Sequence, residues 1–125
     1  SWDVLLPAIS IGLLSTGMLN LNNMRDIEND IKSGKYTLAS KLGLQKAKYY
    51  HAFLVVGAII AALLFVWIHY SSLWNLLFLI VVLPLLIDLR AIWITTEQQK
   101  LDPFLKKLAL STLAFAILFV LGLLL

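Results

Sequence analysis

The chain has 125 residues, 61% of them hydrophobic and 14% charged, with a net charge of +3 and no cysteine. A soluble domain carries about a quarter charged residues. The composition, with a mean hydropathy of +0.90, therefore excludes an ordinary water-soluble globule and indicates a membrane protein. Disulfides are excluded, and nucleic acid is not an expected partner.

The opening, SWDVLLPAIS, has no starting Met and carries Asp3 where a secretory leader would be basic; its basic residues follow the first apolar run instead. That polarity is wrong for a cleaved signal, and the chain reads as a piece of something longer. A bilayer core about 30 Å thick is crossed by about 20 helical residues. Four segments are expected to cross it, residues 4–24, 47–70, 72–95 and 104–125. As core helices of a soluble bundle they would need polar faces, and they have none to show to water.

Each span has local signals. In the second, Gly57 with Ala61 and Ala58 with Ala62 set small residues one turn apart, as close helix contacts in lipid require. Its histidines, His51 and His69, lie near opposite ends and are expected at the membrane interfaces. The third follows Tyr70-Ser71-Ser72, with either serine available as helix cap, and Pro84 should kink it. Asp88 and Arg90, two apart, do not face one another on a helix and mark its approach to the headgroups. Asp88 turned into the bundle would instead be a functional candidate. The fourth starts at Asp102-Pro103, the Asp capping and the Pro in the first turn. Trp2, Trp67, Tyr70, Trp74 and Trp93 fall near span ends, where aromatic rings prefer to sit.

The charges assign a side. Arg25, Lys32, Lys35, Lys41, Lys46 and Lys48 fall in or beside the first connection; Arg90, Lys100, Lys106 and Lys107 lie around the third. The second has no Lys or Arg. Four antiparallel spans put the first and third loops on one face, and the positive-inside rule makes that face cytoplasmic. Loops 25–46 and 96–103 are thus expected in the cytoplasm.

The first connection is long for a bundle, and long loops in compact folds tend to be functional. It is expected to hold a short helix with Thr37 as cap and Gly43 as a left-handed stop. Ser33-Gly34-Lys35-Tyr36-Thr37 is not a P-loop, since the first Gly is missing, Tyr separates Lys from Thr, and no strand precedes it. Asn22, Asp26 and Asp30 are spaced by four. If the first helix continues past Met24 they share one face, with Glu28 on the other. Such a stripe suits a hard cation that takes oxygen ligands, completed by substrate phosphates with Arg25, Lys32 and Lys35 nearby. Spacing alone equally fits a membrane helix that emerges into water and turns polar.

A longer block carries more information. The run NLNNMRDIENDIKSGKYTLASKLG, residues 20–43, resembles the second aspartate-rich motif of the UbiA-type intramembrane prenyltransferases. Its NNxRD opening, DxxxD and GKxTLAxxLG continuation are most similar to the 1,4-dihydroxy-2-naphthoate polyprenyltransferase branch of menaquinone biosynthesis. The resemblance implies an all-α membrane protein whose four transmembrane helices are the C-terminal part of a nine-helix bundle in the bacterial inner membrane. It implies Mg2+ and two substrates, a polyprenyl diphosphate and an aromatic acceptor that loses its carboxylate. Asp26 and Asp30 match the catalytic metal ligands, Asn22 would support them, and Arg25 and Lys35 would contact diphosphate. The family's first motif, NDxxDxxxD, does not occur in the sequence. The chain alone is therefore expected to be inactive, and N-terminal helices of the same protein are expected partners besides the lipid bilayer. Two alternatives stand beside this reading: another UbiA-type aromatic prenyltransferase, and a non-catalytic transporter or scaffold fragment with the polar loop as docking surface.

Overall fold

The structure, a computed structural model, describes residues 2–125. A 310 turn at Trp2–Val4 leads into α1 (Leu5–Arg25), followed by two short helices, α2 (Ile27–Lys32) and α3 (Leu38–Leu42). The long α4 (Leu44–His69) returns the chain. A 310 turn at Leu73–Leu76 precedes α5 (Leu79–Ile94), and another at Gln98–Leu101 precedes α6 (Asp102–Leu124). Four units, Trp2–Arg25, Leu44–His69, Leu73–Ile94 and Gln98–Leu124, are long and apolar enough to cross a bilayer. Large side chains such as Phe53, Trp67, Leu83 and Leu113 face outward, which lipid rather than water accommodates. The protein is an all-α membrane protein.

α1 packs along α4, while α6 covers α1 and α5. Phe65, Phe78, Phe115 and Phe119 fill the centre of the half remote from the basic loops, with Phe78 5.3 Å from Phe115 and 5.5 Å from Phe119, ring centre to ring centre. Small residues do lie at a helix contact. Ala58 and Ala62 are fully buried, and a Cβ on Gly57 would touch Leu13 of α1 at 3.3 Å. Four of the buried polar side chains, Ser10, Asn20, Lys48 and Asn75, bond across helices. Ser10 Oγ donates to the Ala58 carbonyl at 2.7 Å, and Asn20 Nδ2 to the Ala47 carbonyl at 3.2 Å. Asn75 Nδ2 donates to the Gly122 carbonyl at 3.0 Å. Lys48 is buried, and its ammonium donates to the Trp93 carbonyl at the end of α5, at 3.1 Å. That carbonyl belongs to the last turn of a helix, where a cation is favoured.

The structure departs from expectation at several points. Regular helix in the third span does not start at the serines. Ser72 caps only the 310 turn, the Asn75 side chain accepts from the Ser71 and Ser72 amides, and α5 begins at Leu79. A short amide side chain competing for backbone partners delays the helix. Pro84 lies inside α5, which is continuous through it as a kinked helix also is. Gly43 has the expected positive φ of 81°, but with ψ of 162° it is extended rather than left-handed helical, and it both ends α3 and opens α4. Thr37 caps α3 through a reciprocal pair of bonds with Ser40.

The two histidines differ from each other. His69 is exposed and pairs with Asp3, tying the end of α4 to the start of α1. His51, expected at an interface, is instead 1% exposed and lies against Gly17 and near Leu108. It shares the inner stripe of α4 with Val55, Ala58 and Ala62, and that facing decides its burial. Beside it, half-buried Asp88 lines a space of about 10 Å³, room for one water at most.

Candidate active site

The last turn of α1 carries Asn22 and Arg25, and the helix breaks at Asp26, whose φ of −99° and ψ of 10° lie outside the helical region. Consecutive side chains diverge on a regular helix. The break turns the Asp26 carboxylate back onto its neighbour, and Arg25 Nε and Nη2 donate to its two oxygens at 2.9 and 3.2 Å. Nη2 also donates to Asn22 Oδ1 at 2.9 Å, and Nη1 to Asp102 Oδ1 at 2.6 Å. One guanidinium thus joins Asn22 and Asp26, at the end of α1, to Asp102 at the start of α6.

The four-residue register persists across the break. The Asp26 amide donates to the Asn22 carbonyl at 3.2 Å, and the Asp30 amide to the Asp26 carbonyl at 2.8 Å. The Lys35 amide in turn donates to the Asp30 carbonyl at 2.8 Å, folding the chain back after α2. Gln98, in the third connection, clasps α2, accepting from the Glu28 amide and donating to its carboxylate, both at 3.3 Å.

Between the two connections lies an open cleft of about 360 Å³ lined by Arg25, Asp26, Glu28, Asn29, Gln99 and Asp102. The structure therefore gathers Asn22, Arg25 and Asp26 and divides the expected stripe. Glu28, expected on the opposite side from Asp26, lines the same cleft from just beyond the break. Asp30 and Lys35 are not among the lining residues. Sequence reasoning missed Gln98, Gln99 and the cleft-facing role of Asp102, which had a local reading as a cap. The signal that could have found them is the common face of the first and third loops.

The Arg25 guanidinium hydrogen-bonded to Asp26 holds its carboxyl below the usual carboxylate range; partial burial opposes this, and the charges of Arg25 and Lys35 add to it. Asn22, Asp26 and Asp30 offer oxygen donors only, a set suited to a hard divalent cation. Asp30 Oδ2 is buried with no hydrogen-bond partner among the described residues, an uncompensated oxygen that a cation would satisfy. No cluster of three or more His, Asp or Glu residues converges closely enough to hold a metal among the described residues. The donors thus fit part of a cation site and do not close one.

Residues 1–113 match the model of the UbiA prenyltransferase family. The chain belongs to that family. It is 43% identical over 123 residues to the 1,4-dihydroxy-2-naphthoate octaprenyltransferase of Haemophilus influenzae and 38% identical over 119 residues to that of Escherichia coli. These alignments cover 97% and 95% of the chain and 39% of each relative. The family member is thus a stretch about two fifths as long as these relatives. A shorter match, 42% identical over 53 residues, is to UbiA prenyltransferase domain-containing protein 1 of Dictyostelium discoideum, covering 42% of the chain and 16% of that protein. No solved structure matches the chain significantly.

Proposed function

We propose that the full-length protein transfers a polyprenyl group from polyprenyl diphosphate to 1,4-dihydroxy-2-naphthoate, with loss of the acceptor's carboxylate, in menaquinone biosynthesis. The observation that carries this reading is the Asn22–Arg25–Asp26 cluster at the mouth of α1, facing the polar cleft. Similarity to the two octaprenyltransferases along nearly the whole chain supports the choice of acceptor. Asp26 and Asp30 would hold magnesium, which supplies charge stabilisation to the departing diphosphate. Arg25 and Lys35 bind diphosphate oxygens, and Asn22 orients Arg25 by accepting from Nη2. As the allylic C–O bond breaks, negative charge grows on the leaving oxygen, and cations already bound to the diphosphate match it. A ring carbon of the acceptor attacks the allylic cation, and the carboxylate leaves as carbon dioxide.

In this reading the protein is a multi-pass inner-membrane enzyme with the basic loops, and so the cleft, on the cytoplasmic side. The first aspartate-rich motif, absent from these 125 residues, supplies the rest of the cation site from N-terminal helices of the same protein. The test is turnover by the full-length protein in membranes, with magnesium and both substrates. Asp26→Asn should lower it by about 10²–10³-fold, the effect of removing one preorganised stabilising group. Unchanged turnover in that variant would favour the transporter or scaffold reading. Offering other aromatic acceptors separates this branch from other UbiA-type enzymes. Residues 1–125 alone should give no turnover, and product from them would overturn the two-part site.

A further inference from the structure

Asp102 should, by local sequence logic, cap α6. It does not. It is the first residue of that helix, Leu101 occupies the cap position, and no side-chain cap bond forms. Its carboxylate instead crosses the cleft and accepts from Arg25 Nη1 at 2.6 Å, joining residues 77 positions apart in sequence. A residue that gives up its local role to hold a residue of the candidate site serves that site.

The guanidinium presents two edges. Nη1 is on Asp102, while the Nε and Nη2 edge is on Asp26, with Asn22 also on Nη2. The Nε/Nη2 edge is a planar fork that matches carboxylate and phosphate oxygens equally well. With Nε on Asp26 and Nη2 on both Asp26 and Asn22, that edge has no N–H left for a diphosphate oxygen. The fork must therefore let go of Asp26, and it needs something that keeps it aimed into the cleft when it does.

We propose that Asp102 is a positioning residue for diphosphate. It keeps Nη1 fixed while the Nε/Nη2 edge of Arg25 exchanges Asp26 for the diphosphate oxygens. This rests on the prenyltransferase reading. It adds to it a role for the third loop, from a residue on the far wall of the cleft that touches neither metal nor substrate. The clasp between Gln98 and Glu28 joins the same two loops.

The experiment is calorimetric binding of inorganic pyrophosphate with magnesium to the full-length protein, with no acceptor and no turnover. Asp102→Asn should weaken binding by about two- to fivefold, the range for an ion pair whose acidic partner is largely exposed. Asp102→Glu should restore most of it. In an Arg25→Lys background, where the second edge is gone, Asp102→Asn should have no further effect, because the two residues act as one unit. In turnover, Asp102→Asn should raise KM for the diphosphate substrate and leave KM for the acceptor unchanged. Equal losses from Asp102→Asn with and without Arg25 would overturn the proposal and show a purely structural contact. So would parental affinity in Asp102→Asn. If the parent protein binds no pyrophosphate, the underlying reading fails instead.

Discussion

Gly122 offers a quantitative test of the packing. A Cβ built on it would stand 2.4 Å from the Trp74 carbonyl oxygen and 3.3 Å from its carbon. Ordinary contact begins at 3.4 Å, so Gly122→Ala forces α6 and the Leu73–Leu76 turn apart by about 1 Å. The obstacle is backbone, which cannot rotate out of the way. The 3.0 Å bond from Asn75 Nδ2 to the Gly122 carbonyl would lengthen to about 4 Å, beyond hydrogen-bonding range. Overpacking of this kind costs about 1–3 kcal/mol, and an interhelical bond in a membrane contributes about 0.6 kcal/mol more. Alanine's better helix propensity returns about 1 kcal/mol. The net expectation is a loss of about 0.5–2.5 kcal/mol. It is measured by reversible unfolding of the full-length protein in mixed micelles of increasing SDS content. Gly12→Ala provides the contrast: no atom lies within 4 Å of its Cβ position, so propensity alone should leave that variant unchanged or slightly more stable. A Gly122→Ala variant as stable as the parent would refute the close approach of α6 to this turn.

Three further outcomes follow from the geometry. Gly43→Ala should cost about 1–3 kcal/mol, because φ of 81° with ψ of 162° is a region essentially reserved for glycine; thermal inactivation reads this, and an unaffected variant would contradict the α3–α4 junction. Lys48→Met should cost about 1–2 kcal/mol by loss of the charge-assisted bond to the Trp93 carbonyl, while Lys48→Glu, which places a buried acid against that carbonyl, should sharply reduce folded yield. Asp26 is held below its ordinary pKa of 3.8, chiefly by its bond to Arg25. A depressed folded-state pKa contributes stability that is present above the unfolded value and lost as pH falls through the folded one. Acid loss from this pair should therefore set in below about pH 4, and Arg25→Gln should remove it, flattening the fall in thermal stability over that range.

The four spans were legible because hydrocarbon leaves the backbone little choice: apolar runs of this length must be helical to satisfy their own amides. Thr37 was legible for a similarly local reason, since its capping chemistry is complete within four residues. Asn75 was not, because its side chain spans from the Ser71 and Ser72 amides to the Gly122 carbonyl on another helix. His51 was misplaced by reading distance from a helix end when facing decides burial. At the candidate site, spacing of four predicted the run Asn22, Asp26, Asp30, and the backbone bonds at those steps keep that register. The turn at Asp26, which accompanies the pairing of adjacent Arg25 and Asp26, is something no periodicity encodes. Asp102 had a plausible local role, and only the fold shows that its carboxylate is used elsewhere.

The ties at the two ends of the bundle differ in kind. Near the Leu73–Leu76 turn, a buried amide and a glycine pressed against backbone leave no slack. At the basic end, the loops meet through partly exposed ion pairs and a glutamine clasp, bonds that water and phosphate can replace. The molecule is built like a book, with its spine at one membrane surface and its loose edge at the other. Any opening of the bundle costs least at that loose edge, where the acidic and basic side chains of the cleft lie.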